Sequence, residues 1–344
     1  MRRLDGRMVG EVMRETLLGR GVNAESAEHV AASLVQTSLR GVDSHGIQLF
    51  PHYCRAVDAG RISKEPKLHF AQTSPTTSIL DADDAFGHHA GAAAMDHAIR
   101  GAREAGVAAV AVKNSTHFGA AAYFGLRAAR RNCIGIAMTN ADALLKAHGS
   151  KVAFTGTNPI CVTAPIEGEE PFCLDMATSL VSWNKVLNHR RTGDAIPPDW
   201  ACDTDGTPVT DPDAARSLQP AGQHKGYGLS LVVDIFCALL SGGNISKDLL
   251  PMYQHIDVRR KISHFFMAVD VERFCPAAEF GKRMQAMVER VRALAPLDPE
   301  LAVMVSGDPE KRAFAARSAA GIPVDETKLA ELIATAPRFA EALV

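Results

Sequence analysis

An α/β fold in two parts is predicted: a layered α/β domain over residues 76–274, and a helical lobe built from residues 1–75 together with 275–344. Three observations predict it. Apolar residues recur at helical spacing near both ends of the chain. From about Ser78 onward, helical runs alternate with short apolar runs, which is the pattern of an α/β layer structure. The chain has 344 residues, more than one compact core usually holds, so two lobes are expected.

Taken in order, Val9, Val12, Met13 and Leu17 mark a first helix that Gly19-Arg20-Gly21 stops. Asn23 is a good N-cap for a second, carrying Ala27, Val30, Ala31, Leu34 and Val35 and ended by Gly41. Asp43 or Ser44 caps a third, through Ile47, Phe50 and Val57 to Gly60, with Pro51 displacing or kinking its start. Helices are expected over 91–105 and 120–131, and strands over 107–112, 133–138, 172–176 and 265–269. Residues 194–220 are rich in Asp, Pro, Thr and Gly and predict a long surface excursion, a feature that is often functional. The apolar run 229–240 contains Asp234 and is short for a membrane span, so it reads as a buried helix in which Asp234 satisfies a buried partner. Past Cys275, Met284, Met287, Val288 and Val291 share one helix face, and this segment is placed with the N-terminal helices.

Composition removes several function classes. Charged residues are 22% of the chain and the net charge is −2, which argues against a nucleic-acid surface or a polybasic membrane anchor. The seven cysteines are scattered with no CxxC pair, so neither a zinc knuckle nor a disulfide framework is supported, and no metal is implied. Reduced thiols and an N-terminus lacking the apolar core of a signal peptide make a cytoplasmic protein the expectation.

Two short segments carry the chemistry. Asn114-Ser115-Thr116-His117-Phe118-Gly119 and Arg40-Gly41-Val42-Asp43-Ser44-His45-Gly46 each set a histidine among small or hydroxyl-bearing residues at a break between regular elements. His117 lies where an expected strand hands over to a helix, a usual place for ligands in α/β folds. Imidazole is the side chain best poised for proton transfer near neutral pH. Most of the 13 histidines are expected to face solvent or to be satisfied by a backbone partner, so position rather than residue type singles out these two. Lys225 falls at a helix start, where the helix dipole disfavours a cation, and an anionic partner accounts for it better than solvent does. No GxGxxG follows a strand, so an ordinary Rossmann fingerprint is absent.

Asp43-Ser44-His45-Gly46, Asn114 to Gly119, Gly156-Thr157-Asn158-Pro159, Asp175-Met176-Ala177-Thr178-Ser179 and Lys225-Gly226-Tyr227-Gly228-Leu229 occur in one order. On these motifs the chain resembles the malate/L-lactate dehydrogenase family, from about Glu11 to about Leu329. The spacing within 197–203 and the stretch Trp183-Asn184-Lys185-Val186 resemble its ureidoglycolate dehydrogenase branch most closely. The resemblance implies a non-Rossmann dinucleotide-binding α/β domain and a homodimer. It implies NAD or NADP held by Asp175, Met176, Ala177, Thr178, Lys225 and the loop bearing Gly307 and Glu310. Members differ in which histidine is credited. His117 resembles the base of the ureidoglycolate enzyme and is the first choice, with His45 orienting the substrate, whereas His45 with Ser44 resembles the proton donor of the keto-acid and cyclic-imine reductases. Thr157 or Asn158 falls near a small-molecule substrate. Hydride would pass between nicotinamide and C2 of a small 2-hydroxy or 2-keto acid. The alternatives are reduction of a cyclic imino acid or diketo acid, or a cofactor-binding module without catalysis. Two positions depart from the family. Leu49 stands where members commonly carry an arginine that clamps a carboxylate, and Ala141 stands where the branch has a serine. Lys146 and His148 are charges in a stretch that the family keeps apolar, and Lys146 is the expected replacement cation.

Overall fold

The structure is a computed structural model that describes all 344 residues. Strand β1 (Arg2–Leu4) leads into α1 (Gly6–Gly19) and α2 (Ala24–Leu39). The side chains of Asp5 and Asn23 accept from the amides of Met8 and Ser26, satisfying donors that a helix start otherwise leaves free. The third helix starts later than its cap residues predict. Asp43–His45 and Ile47–Leu49 are tight 3-10 turns, and α3 (Phe50–Asp58) begins with Pro51 in its first turn, where a missing N–H costs nothing. Ser44 and His45 therefore sit on a turn rather than inside a helix.

The hairpin β2 (His69–Ser74) and β3 (Thr77–Asp81) precedes α4 (Gly87–Ala105), β4 (Val107–Ser115), α5 (Ala122–Ala129) and β5 (Cys133–Thr139). The pairs β6 (Leu145–Lys146) with β7 (Ala153–Thr155), and β8 (Ile160–Ala164) with β9 (Phe172–Met176), follow before α6 (Trp183–Thr192). The long excursion is more ordered than its composition predicts. It carries β10 (Ala201–Cys202), β11 (Pro208–Val209) and β12 (Ser217–Leu218), which join β6 and β7 in a small sheet over a core of its own. Next come α7 (His224–Asp234), β13 (Ile262–Asp270), α8 (Ala277–Arg292), α9 (Asp308–Ala320), β14 (Ile322–Val324) and α10 (Glu326–Thr335).

The main sheet has the order β2-β3-β4-β13-β5-β8-β9, and only β3 and β4 pair in parallel. Strand β13, which arrives more than a hundred residues after β5, inserts antiparallel between β4 and β5. It thereby carries Phe266 and His264 into the centre of the layer. One core gathers α1 to α3 with Ile322, Val324, Leu329, Leu332 and Phe339; a second gathers α4, α5 and the sheet. The pair β1–β14 ties the two ends of the chain together. Helix α8, expected among the terminal helices, docks instead on the turn after β8, where Gly281 O accepts from Glu167 N and Arg292 bonds Glu169. Its face is too short of large apolar residues to compete for the helical core, and Met287 stays exposed.

The run 229–240 is helical, as α7 and a π-helical turn over Ile235–Leu239, but only half buried. Val233, Cys237 and Ala238 face the sheet, whereas Leu229, Val232, Phe236, Leu239 and Leu240 are exposed. No helix is long and apolar enough to cross a membrane.

Candidate active site

At the end of β4 the backbone turns through positive φ at Asn114 (54°) and again at Gly119 (76°). Asn114 holds the first turn by donating to Asp81 Oδ2 at 2.8 Å. Glycine is required at the second, because a Cβ there would lie 2.9 Å from His88 Nε2. The loop between them delivers His117 to the boundary between the two cores. Tyr53 of α3 meets it from the helical side, with its hydroxyl 2.7 Å from His117 Nδ1. His45 stacks on His117 at 5.8 Å between ring centroids and 26° between planes. His45 Nδ1 in turn hydrogen-bonds Ser44 Oγ at 2.9 Å.

Burial pushes the His117 imidazole well below its ordinary range, and the neighbouring His45, His88 and Arg260 push it further. Burial also lowers His45. Both rings are therefore neutral at pH 7. When His117 Nδ1–H donates to the Tyr53 oxygen, Nε2 is a bare acceptor; in the opposite polarity Nε2–H is a donor. One ring held in this way takes a proton in one direction of a reaction and returns it in the other.

Beside this array lies a cavity of about 720 Å³. Ser44, His45, Thr157, Asp175, Met176, Ala177, Gly307 and Glu310 all line it, so the fold gathers residues from four separate stretches of sequence. Gly307 (φ 99°) approaches so closely that a Cβ would stand 3.2 Å from the backbone N of Cys173. Asp175, the penultimate residue of β9, accepts from Ala122 N at 2.7 Å, at the first turn of α5. Its depth in the cleft pushes the carboxyl up to about 6 and Glu310 adds to the shift, while the Ala122 hydrogen bond and Arg40 pull it back.

Residues 7–333 match the profile of the malate/L-lactate dehydrogenase family. The chain belongs to this family. It is 37% identical over 322 residues to a malate dehydrogenase of Pyrococcus abyssi, covering 91% of this chain and 88% of the relative. It is 34% identical over 286 residues to the NAD(+) ureidoglycolate dehydrogenase of Escherichia coli, covering 83% and 82%. Among solved structures, malate dehydrogenase from Entamoeba histolytica superposes with a TM-score of 0.93 at 30% identity, over 98% of each chain. These identities do not separate the malate and ureidoglycolate branches of the family.

Not every residue that the family pattern nominates reaches the cavity. Asn158 is buried at φ 29° and fully engaged: its Oδ1 accepts from Ala141 N and Ser246 Oγ, and its Nδ2 donates to Ser230 O. It braces the turn that presents Thr157. Thr178 is also buried and donates to Thr157 O at 3.0 Å, so it too acts through Thr157. Lys146 donates to Gly206 O at 2.9 Å, inside the small sheet's loops and away from the cavity lining. Leu49 packs into the helical core, 8% exposed. Lys225 is exposed at the start of α7 and is not part of the lining. Asp234 satisfies a buried network, accepting from Asn140 Nδ2 and Ser246 Oγ. Tyr53 and Arg260 were not legible in the sequence, and Arg40 was not singled out. Tyr53 looks like any aromatic on an apolar helix face. Arg40, within the Arg40-to-Gly46 motif, is the one signal that spacing offered.

Proposed function

We propose that this protein is an NAD-dependent dehydrogenase of a small 2-hydroxy acid, with His117 as its acid/base. The observation that carries the reading is the Tyr53–His117–His45 array set beside a cavity lined by Asp175, Met176, Ala177, Gly307 and Glu310. The residues fit a dinucleotide. The glycine at 307 keeps the wall open where a side chain would collide with Cys173, and the turn at 175–177 offers backbone to a ligand. Nicotinamide, when bound, supplies the hydride acceptor. His117 Nε2 takes the substrate's hydroxyl proton while Tyr53 fixes the ring, and the neutral His45 and Ser44 orient the hydroxyl or carbonyl by hydrogen bonds.

The choice of NAD over NADP rests on charge. Asp175 and Glu310 both line the cavity, and Arg40 is the one lysine or arginine there, already 3.8 Å from Glu170. A 2′-phosphate would meet carboxylates. Calorimetric titration should therefore find NADH bound more tightly than NADPH by about tenfold or more, the scale of one unfavourable charge contact. Glu310→Gln should narrow the gap. NADPH binding as tightly as NADH would reverse the assignment. NADH binding without turnover across a broad set of 2-keto acids would favour a binding module over an enzyme.

The assembly we propose is a homodimer that covers the open face of α7. Leu229, Val232, Phe236 and Leu239 share that face, and exposed Phe154 of β7 with Val152 just before it extends it. A contiguous apolar face of this kind fits burial against a second copy. Sedimentation should report twice 36.8 kDa. Leu239→Asp should shift the equilibrium toward monomer at micromolar concentration. A wild-type monomer under the same conditions would contradict the proposal.

A further inference from the structure

We infer that Arg260 receives the substrate's carboxylate, and that the substrate is accordingly a monocarboxylic 2-hydroxy or 2-keto acid with an uncharged side chain. The inference rests on the dehydrogenase reading above and names the substrate class of the same site.

Arg260 is only 4% exposed. Its Nε donates to Leu250 O at 2.9 Å and its Nη2 to Asp142. Its Nη1 donates to nothing in the protein, and it is not one of the fully enclosed unpaired atoms. A buried guanidinium with one arm fixed and the other free is prepared for a carboxylate, whose two oxygens match that fork. The loop bearing it leads directly to the acid/base pair. Tyr253 of that loop packs edge-on against His52 at 5.1 Å, His52 against Tyr53 at 5.9 Å, and Tyr53 bonds His117. Arg260 helps to keep the His117 imidazole below its ordinary range.

The loop is held rigidly. Arg61 donates to the carbonyls of Met252, Gln254, His255 and Val258 at 2.5 to 3.0 Å. Arg259 and Lys261, on either side of Arg260, each bond Asp84 at 2.7 Å. The cation is therefore positioned before any ligand arrives, which lowers the ordering cost of binding. Other cations are committed elsewhere: Lys146 to Gly206 O, and Arg40 beside Asp175 and Glu170. Leu49, one turn before Tyr53, offers no charge. Because Arg260 has one arm without a protein partner and no other free cation lies beside it, one carboxylate is accommodated and a second finds no partner. An unpaired buried carboxylate is far costlier than one lost hydrogen bond.

The test uses the full-length protein with NADH. Reduction of pyruvate, 2-oxobutyrate and oxaloacetate is measured, together with calorimetric binding of oxamate to the enzyme–NADH complex, which needs no turnover. Wild type should prefer the two monocarboxylates. Arg260→Gln should weaken oxamate binding and raise KM by roughly 30- to 1,000-fold, the range for truncating one partner of a buried charge pair. NADH affinity should be unchanged, and kcat should change far less than KM. Arg260→Lys should recover part of the loss. If Arg260→Gln does not fold, the uncharged pair Arg260→Met with Asp142→Leu is measured in its place. Oxamate bound equally by wild type and either folded variant overturns the inference, as does efficient oxaloacetate reduction that Arg260→Gln leaves intact. Absence of turnover by wild type, with oxamate still lost in Arg260→Gln, instead overturns the dehydrogenase reading and leaves Arg260 as the anion site.

Discussion

His117→Asn should lower kcat by roughly 10²–10⁴, the usual contribution of a positioned general acid or base. NADH affinity should stay near that of wild type, because His117 lies outside the lining of the cavity. The asparagine keeps a polar group beside the Tyr53 hydroxyl but removes the titrating nitrogen. The pH profile gives a second readout. His117 is held well below its ordinary 6.5 by burial and by the adjacent His45, so its neutral form persists into mildly acidic solution. The acid limb of kcat/KM should therefore fall below pH 6.5. In Tyr53→Phe the ring loses its 2.7 Å partner, and kcat should drop with little change in NADH binding. Near-normal turnover in His117→Asn would move the role to His45, whose ring already lines the cavity.

Acidification from pH 7 to pH 5 should cost the fold roughly 4 kcal/mol through His88 and His264 alone. His88 and His264 are fully buried, and burial lowers each from 6.5 to about 3. Below pH 6.5 the unfolded chain binds protons at these two sites that the folded chain refuses. Their stabilisation is thus complete above pH 6.5 and is lost progressively as pH falls toward 3. Each unit below 6.5 costs about 1.4 kcal/mol per histidine, hence about 2 kcal/mol each at pH 5. Asp175, raised to about 6, works in the opposite direction, but its carboxyl opens onto the cavity and water screens its share. The two histidines also differ. His264 bonds Thr139 and Ser115 through both nitrogens, whereas neither nitrogen of His88 has a partner. His88→Leu should be neutral or stabilising at pH 7, since it removes two unsatisfied buried groups, and should reduce the acid loss by about 2 kcal/mol. His264→Leu should destabilise at both pH values. Urea melts at pH 7.5 and 5.0 measure all of this. Equal stability of the wild type at the two pH values would refute the account.

How much of this was readable from sequence depends on the range of the forces involved. Helices α1 and α2 were legible because a cap such as Asn23 and an apolar stripe such as Val30-Ala31-Leu34 act over three or four residues. Strand β9 was legible to the residue because a short apolar run between turns has few alternatives. His45 and His117 were nominated by their motifs, and a shared site for them followed from family resemblance. Their stacked geometry did not, because it requires the helical lobe to close on the end of β4. The same limit explains where the structure departs from the sequence reading. Asn158 and Lys146 sit in or beside the right motifs, yet long-range partners, Ser230 and Gly206, occupy their polar atoms. Helix α8 follows the chain toward the terminus but finds a better partner in Glu167 and Glu169. Tyr53 and Arg260 carry no local mark at all. One gains its role from a 64-residue separation to His117, and the other from an ion pair across 118 residues to Asp142. Sequence alone determined the elements, the nominated histidines and the family, because these rest on local periodicity and linear motifs. The tertiary structure decided which polar atoms remain free to do chemistry, because a donor or acceptor is free only when no distant residue has already satisfied it.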